Sequence, residues 1–368
     1  MLRTALFIAL LSVPGAFVIA QSTAVPAGSG SPPQQNSGRQ PAQPNTPAQG
    51  QRPIPIRTNL VIVPVTVKDS HGQLVGDLTK DEFRVFEDNQ ERPIVQFNSE
   101  AVPLSAVVAI DNDLAQKQAD QVQKSLTAIA AGFGPDDEVA LVMYDQYPNT
   151  ISDFSKDNDK LFAQLKNVEI GSHSTFVYPD PTTQGPIKPG SPPSPPNISD
   201  EVHGPPKYNK TTDLDDAVFA AGQMLQGRGQ DRRKIIFLIT DGSNSRTNKH
   251  PFAETERSLL EANVSVYAIL VNRTVPVGKS LVQRGASEID RYANQTGGDT
   301  FYGSKQDDLS RLYSDVTEEA RNQYTLAFQP NPPDPSRDYH SIEVRVMRPG
   351  LNVRTRDGYY MSSLMGGR

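Results

Sequence analysis

The chain has 368 residues, no cysteine and a formal net charge of −6 at pH 7. This length allows one large domain and a smaller one, and the lack of cysteine excludes disulfides, zinc–thiolate sites and thiol nucleophiles. The mild negative charge indicates neither nucleic acid nor an anionic membrane surface as a partner.

The start of the chain is predicted to precede its folded part. Arg3 supplies a positive charge, and the apolar run Ala5–Ala20 is shorter than the roughly 20 residues that span a bilayer. Residues 1–20 are therefore interpreted as a cleaved signal peptide, which implies a secreted or periplasmic protein. Residues 21–55 are rich in Pro, Gln, Ser and Gly and are expected to form a disordered tether. No later stretch is apolar for long enough to span a membrane.

Residues 56–100 have the pattern of a small antiparallel β unit. The run Leu60–Val67 is rich in Val and Ile and is followed by a turn at His71-Gly72. Phe83–Glu87 continues the strand pattern as far as the polar turn Asp88-Asn89.

From Leu104 onward, short apolar strands alternate with amphipathic helices. The predicted strands are Ser105–Ile110, Val139–Tyr144, Lys234–Thr240, Val264–Val271 and Thr300–Tyr302. The predicted helices lie around residues 119–130, 160–165, 214–225, 259–260 and 309–320. This alternation predicts an α/β domain over residues 101–322, with a doubly wound, mostly parallel sheet and helices on both faces.

Two further segments complete the organisation. After Asn322 the β pattern returns, and residues 323–361 are predicted to pair with residues 56–100 in one small β-sandwich into which the α/β domain is inserted. The Pro-rich stretch 171–210 interrupts the α/β domain. A loop of this length is often functional, but mere surface decoration is the favoured interpretation.

Three polar points fall at one end of the predicted sheet. Asp111 follows the first buried strand, Asp241-Gly242 follows the strand Ile235–Ile239, and Thr212 precedes the helix that begins near Leu214. In a doubly wound sheet the carboxyl ends of the central strands form the ligand crevice, and oxygen ligands suit a hard divalent cation such as Mg²⁺. Each aspartate taken singly is also explained as a helix N-cap, so the spacing leaves both readings open.

Several segments resemble von Willebrand factor A (VWA) domains. Ile236–Gly242 resembles their strand-to-loop signature, Thr212–Val218 resembles their threonine loop, and Asp111 matches the start of their metal-ion-dependent adhesion site. The flanking β segments resemble those of a VWFA-related family of exported bacterial proteins of acidobacterial type; these are Val65–Asp69, Leu78–Phe83, Val85–Asp88, Tyr324–Leu326 and Val353–Tyr359. The resemblance covers about Asn59–Tyr360 and implies a recognition or adhesion module for protein partners, not an enzyme.

The first metal motif departs from the family pattern Asp-x-Ser-x-Ser. In this chain Asp113 stands at the first serine position and Ala115 at the second. The metal-site residues are therefore predicted to be Asp111, Asp113, Thr212 and Asp241. The partner-binding rim is predicted to include Asn112, Asp213, Gly242 and Ser243.

This departure is expected to alter cation binding. If Asp113 points inward, three carboxylates face one divalent cation and leave a formal charge of −1, which would repel a further carboxylate from a ligand. If Asp113 points away, the site lacks two ligands. In both cases we expect weak or altered binding of Mg²⁺ or another divalent cation, and recognition that is not centred on an acidic residue of the partner.

Two alternatives to a metal-assisted binding module stay open. One is a metal-dependent phosphoesterase built on Asp111, Asp113 and Asp241, and the other is a metal-free scaffold. The segment Gly242–Ser245 lacks the closing glycine of a nucleophile elbow, which disfavours an enzyme. The histidines have neither metal-ligand spacing nor an evident catalytic partner and are interpreted as surface residues; they are His71, His173, His203, His250 and His340. No pattern specifies an oligomeric state.

Overall fold

The computed structural model describes residues 60–171, 212–271, 284–303, 306–332 and 336–365. The predicted signal peptide (1–20), the tether (21–55) and all but the first residue of the Pro-rich insertion (171–210) lie outside these ranges. The domain boundaries proposed above stay predictions. None of the described helices is long and apolar enough to cross a membrane.

The described strands and helices follow one another in an order close to that predicted. The strands are β1 (Val61–Lys68), β2 (Phe83–Glu87), β3 (Gln90–Arg92), β4 (Ile94–Asn98), β5 (Leu104–Asp111), β6 (Glu138–Tyr144), β7 (Pro148–Ser155), β8 (Arg233–Thr240), β9 (Val264–Val271), β10 (Thr300–Gly303), β11 (Tyr324–Phe328), β12 (Tyr339–Val346), β13 (Asn352–Thr355) and β14 (Gly358–Tyr360). The helices are α1 (Gln116–Ser125), α2 (Ala128–Gly132), α3 (Asn158–Asn167), α4 (Leu214–Gln226), α5 (Phe252–Ala262), α6 (Arg284–Thr296), α7 (Gln306–Arg321) and α8 (Met361–Met365).

A mostly parallel sheet in the order β10-β9-β8-β5-β6-β7 forms the middle of the α/β part. Its inner strands β5, β8 and β9 are buried along their whole length. Apolar side chains of α1, α2, α3 and α7 cover one face, and those of α4, α5 and α6 cover the other. Strands covered on both faces are continuous apolar runs, so the predicted doubly wound α/β fold is confirmed.

Two elements of this part were not predicted from the sequence. β7 pairs antiparallel with β6 at one edge of the sheet, and most of its residues are exposed. Helix α6 is mostly polar and has only a narrow apolar face, which includes Ile289, Tyr292 and Ala293. Both therefore lack the strong apolar periodicity on which the prediction depended.

The predicted sandwich is formed by strands from before and after the α/β part. One sheet has the order β13-β1-β11-β4, and the other has the order β14-β12-β2-β3. The β1 valines at alternate positions pack against Phe83, Phe328 and Tyr359 between the two sheets. The pairing of β1 with β11 and β13 confirms that the two flanking segments build one β unit.

The sandwich contacts the α/β part at the beginning of β8. Arg233, the first residue of β8, donates through Nη1 to Oε1 of Gln323 at 2.6 Å and through Nη2 to Oγ1 of Thr325 on β11 at 3.1 Å. These contacts lie at the amino end of the parallel strand. The predicted site residues lie at the carboxyl ends of the strands, away from these contacts.

Candidate functional site

Backbone hydrogen bonds hold four segments together at the carboxyl ends of the parallel strands. The amide of Asn112 donates to the carbonyl of Tyr144 at 2.7 Å, and the amide of Asp213 donates to the carbonyl of Asp145 at 2.9 Å. The amide of Ser245 donates to the carbonyl of Thr212 at 2.8 Å. We call this edge the rim; it comprises Asp111, Asn112, Asp113, Thr212, Asp213, Asp241, Gly242 and Ser243.

Asp111 is the last residue of β5 and its side chain is fully buried. Its Oδ2 accepts a hydrogen bond from the Thr240 hydroxyl at 2.9 Å, and its Oδ1 accepts one from the Asp113 amide at 2.9 Å. The Thr240 hydroxyl also accepts a hydrogen bond from the Gly242 amide at 3.0 Å. Both oxygens of the Asp111 carboxylate therefore hold donors supplied by the protein itself.

Asp113 points into the rim rather than away from it. Its Oδ2 accepts a hydrogen bond from Oγ1 of Thr212 at 3.2 Å, and both side chains are buried. Of the two orientations considered from the sequence, the structure has the inward one. The hydroxyl of the threonine loop is thus directed at a carboxylate of the same rim.

The second serine position of the family pattern is the N-cap of α1. Ala115 occupies it and offers no side-chain oxygen. Instead, Oε1 of Gln118 accepts a hydrogen bond from the Ala115 amide at 3.0 Å, which is one half of a capping box. The position keeps a capping function but has no cation ligand.

Asp241 directly follows β8, as predicted. Its Oδ1 accepts a hydrogen bond from the Ser243 amide at 2.8 Å. Gly242 between them has a φ of +82°, a conformation that favours glycine and turns the chain at the rim. Asp241 does not act as the N-cap of the next helix, because α5 begins after Pro251.

Asp213 precedes α4 but its carboxylate does not cap that helix. It accepts hydrogen bonds from the hydroxyls of Ser245 and Thr247, the latter at 2.6 Å. The side chain therefore joins the α4 loop to the loop after β8. The simple N-cap interpretation explains neither this residue nor Asp111 or Asp241.

The donor set of the rim differs from the family pattern for a divalent cation. Within the described ranges, no three histidine or acidic side chains form a group that could hold a metal ion. The Thr212 hydroxyl is donated to Asp113, and both Asp111 oxygens hold protein donors. Ala115 adds no oxygen. The predicted ligand set of Asp111, Asp113, Thr212 and Asp241 stays a prediction.

A cleft of about 490 Å³ adjoins the rim. Asn112 is a residue of the rim and also lines this cleft. Its Nδ2 donates to Oδ2 of Asp145 at 3.3 Å, and its Oδ1 accepts a hydrogen bond from the Gly171 amide at 3.0 Å. Tyr147 and Ile151 also line the cleft and are 58% and 38% exposed. We call this feature the rim cleft; its lining includes Asn112, Tyr144, Asp145, Tyr147, Ile151 and Val168.

Tyr144 is a site residue that the sequence did not reveal. It ends β6 directly beside Asp111 in the sheet register, and its buried hydroxyl has no hydrogen-bond partner among the described residues. Burial, together with the nearby Asp111 carboxylate, raises the pKa of Tyr144 well above its usual value. The phenol therefore stays protonated and is a hydrogen-bond donor. Its position as the last residue of an apolar strand was the only available signal.

The three described histidines, His71, His250 and His340, are not rim residues, and one of them corrects the sequence interpretation. His71 is exposed, as expected, but His340 is buried on β12, where it stacks on Tyr359. Its Nδ1 lies 2.8 Å from Oδ2 of Asp88. The expectation that His340 is a surface residue was wrong because this position faces into the sandwich. His173 and His203 lie outside the described residues.

Comparisons with known proteins concern the fold alone. No family model matches the chain, and no curated protein matches it. The solved structure of the conserved hypothetical protein BatB from Bacteroides thetaiotaomicron is 13% identical, with a TM-score of 0.39 over 59% of this chain and 98% of that one. A von Willebrand factor type A structure from Catenulispora acidiphila is 9% identical, with a TM-score of 0.43 over 76% of this chain and 77% of that one.

A third similar structure is proximal thread matrix protein 1 from the mussel byssus, with a zinc-occupied MIDAS motif. It is 15% identical and has a TM-score of 0.39 over 60% of this chain and 49% of that one. The α/β part of our chain has a VWA-like fold. This assignment depends on the strand order of its sheet and on the rim, where the three segments that contain Asp111, Thr212 and Asp241 meet.

Proposed function

We propose that this protein is an exported recognition module that binds a protein partner over the rim and the rim cleft, with little dependence on a divalent cation. We further propose that it is not an enzyme. The observation that carries the proposal is the hydrogen bond from Thr212 to Asp113, at 3.2 Å. It directs a hydroxyl that the VWA resemblance assigns to a cation site toward a carboxylate of the chain.

The charge of the rim supports recognition of a donor-rich partner. Asp111, Asp113, Asp213 and Asp241 lie together on three neighbouring loops, and Asp145 lies on the cleft side. An acidic side chain of a partner would meet like charge at this surface. A lysine, an arginine or a backbone amide of the partner would instead find carboxylate acceptors.

The rim cleft supplies the apolar part of such an interface. Tyr147 and Ile151 present exposed aromatic and aliphatic surface beside the polar side chains of Asn112 and Asp145. Tyrosine is enriched among the residues that dominate protein–protein binding energy. The Tyr144 hydroxyl adds a buried donor without a partner among the described residues, which a carbonyl of a bound segment would satisfy.

Export is proposed on the sequence of the first 20 residues alone, because the positive start and short apolar run are typical of a signal peptide. A recognition role outside the cytoplasm agrees with a chain that contains no cysteine to be oxidised. Purification of the native protein and identification of its first residue by mass spectrometry tests this part. A first residue at or near Gln21 is expected, and a retained Met1 would contradict export by this route.

The binding proposal is tested by crosslinking capture with the full chain in envelope and culture extracts, with Mg²⁺ or with a chelator. We expect Tyr147→Ala to reduce capture of a specific protein several-fold, because the exposed ring lies in the rim cleft. The matched control is Tyr302→Ala, which removes a 43% exposed tyrosine on β10, at the far edge of the sheet. Chelation is expected to leave capture unchanged.

Two results would overturn the proposal. Equal capture by the Tyr147 and Tyr302 variants would place the partner elsewhere on the chain. Capture that requires Mg²⁺, together with micromolar Mg²⁺ binding in isothermal titration, would show that the rim acts as a working metal site. Hydrolysis of a chromogenic phosphate ester that is lost in Asp241→Ala would favour the phosphoesterase alternative.

A further inference from the structure

A second cavity lies at the opposite end of β8 from the rim. It has a volume of about 440 Å³, and its lining includes the charged residues Arg232, Lys234, Glu261 and Arg356. Lys234 is near the start of β8 and Thr240 ends it, so this cavity is about 20 Å from the rim along the strand. We call it the basic cavity.

Two of these cations are buried and have no carboxylate partner in the part of the chain that the structure describes. Lys234 is 7% exposed and Arg356 is 6% exposed. The Lys234 ammonium donates to the carbonyl of Ala262 at 3.2 Å, and Nη1 of Arg356 donates to Oδ1 of Asn263 at 3.1 Å. Among the described residues neither forms an ion pair with a carboxylate, so the cost of burying each charge is not offset in that way.

The other charged residues of the lining are already paired. Arg232 lies 3.3 Å from the carboxylate of Glu138, outside the cavity. Glu261 accepts hydrogen bonds from Nε of Arg257 at 2.9 Å and from the Ser362 hydroxyl at 3.0 Å. The cavity therefore has an excess of positive charge, which comes from its two buried cations.

Arg356 remains charged at neutral pH, because burial lowers its pKa only to about 10. Burial also lowers the pKa of Lys234. Nε of Arg356 is buried and has no hydrogen-bond partner among the described residues. An unpaired donor on a buried guanidinium is costly unless a ligand or solvent satisfies it.

Capping of α5 explains only part of this arrangement. Ala262 is the last residue of α5 and Asn263 is its C-cap, so Lys234 and Arg356 lie at the negative end of the helix. The end of a helix carries about half an elementary charge. This partial charge does not balance two full cations, and it leaves Nε of Arg356 without an acceptor.

We propose that the basic cavity binds a small ligand through a carboxylate or phosphate group held between Lys234 and Arg356. The volume is within the range of small-molecule sites. A guanidinium suits a planar or tetrahedral oxyanion, and an ammonium adds a point charge beside it. The exposed amides of Gln226 and Gln230 line the same cavity and offer polar contacts to the rest of the ligand.

Thermal unfolding and isothermal titration of the full chain with inorganic phosphate and with succinate test this proposal. Sodium chloride at equal ionic strength is the reference. We expect at least one of the two anions to raise Tm saturably, and the stronger one identifies the class of the ligand group. Lys234→Met is expected to weaken that binding about tenfold or more, since a hydrogen bond to a charged group is lost. The Tm of this variant without ligand is not expected to fall, because an unpaired buried charge is removed.

A second pair of variants leaves the core untouched. Gln226→Glu adds a negative charge at an exposed position of the cavity lining and is expected to weaken anion binding several-fold. The control Gln223→Glu adds the same charge to an exposed position of the same helix, outside the lining, and should bind like the wild type. The proposal is overturned if neither anion raises Tm more than sodium chloride does. It is also overturned if the two glutamate variants bind the anion equally well.

Discussion

Thr212 and Asp113 meet across the rim, with the threonine Oγ1 3.2 Å from the aspartate Oδ2. They are 99 positions apart in the sequence, and one comes from the loop after β5 while the other precedes α4. The contact joins the two loops through a charge-assisted hydrogen bond. It also fixes the direction in which the Thr212 hydroxyl points its proton.

Restoration of the family pattern should create a cation site. In the double variant Asp113→Ser, Ala115→Ser, the Thr212 hydroxyl loses its carboxylate acceptor and two neutral hydroxyls enter the rim. Such oxygen ligands suit Mg²⁺. We expect the affinity for Mg²⁺ to rise about tenfold or more relative to the wild type, measured by isothermal titration.

The control for this gain is Asp241→Ala in the double variant, which should abolish the added Mg²⁺ binding because one of the two remaining carboxylates of the predicted metal site, Asp111 and Asp241, is removed. Equal Mg²⁺ affinity of the wild type and the double variant would show that residues 113 and 115 do not limit the site.

Removal of the Tyr144 hydroxyl should weaken partner binding without lowering the free energy of unfolding. The hydroxyl is buried without a partner among the described residues, so Tyr144→Phe should keep or raise the free energy of unfolding, by up to about 1 kcal/mol in urea denaturation. Capture of the partner should weaken. Tyr267→Phe is the matched control, because it removes another buried hydroxyl, on β9, that has no partner in the described part of the chain. Weakened capture by both variants would argue against a role for Tyr144 at the rim cleft.

A methyl group at Gly298 should disrupt the junction before β10. A Cβ at this position would lie 2.0 Å from the backbone carbonyl oxygen of Val266, which has no freedom to move aside. We expect Gly298→Ala to lower the free energy of unfolding by about 3 kcal/mol. Gly227→Ala, with nothing within 4 Å of its new Cβ, should change it by less than about 0.5 kcal/mol. Similar urea midpoints for the two variants would contradict this packing argument.

Glu319 should make stability depend on pH. Burial raises its pKa from 4.5 to about 7, despite the ion pair with Lys68 at 2.5 Å. From about pH 4.5 to pH 7 the folded state holds a proton that the unfolded state has released. The free energy of unfolding should therefore fall as pH rises through this range, by at most about 1.4 kcal/mol per pH unit.

Urea denaturation between about pH 4 and pH 8, which covers this range, checks the dependence. Glu319→Gln should flatten the fall, whereas Glu318→Gln, at the exposed neighbouring position, should retain it. A pH profile that is identical in all three proteins would exclude Glu319 as its source.

The sequence predicts well those strands and helices whose successive residues have similar surroundings. β5, β8 and β9 are covered on both faces, so most of their residues are apolar and the strands stand out. β7 does not stand out, because an exposed edge strand owes its conformation to pairing with β6. His340 shows the same limit, since its burial depends on which face of β12 meets the second sheet of the sandwich.

The rim was predictable in position but not in its hydrogen bonding. Asp111, Thr212 and Asp241 each lie beside the end of a strand or the start of a helix, which the sequence shows. The partners of these side chains depend on rotamers and on loops distant in sequence. Thr240, which donates to Asp111, and Tyr144, which lies beside it, both end apolar strands and carry no motif of their own.

The pairing of β1 with strands from the other end of the chain has a consequence for how the protein is made. The Thr355 hydroxyl on β13 donates to the carbonyl of Pro64 on β1, 291 positions away, so the closing contacts of the sandwich are among the last that synthesis permits. Until then β1 presents four valines and two unpaired edges. Contacts of such long range form slowly, and an apolar strand with open edges is a template for aggregation. A chain truncated before β11 should therefore aggregate even though every strand and helix of the α/β part is present.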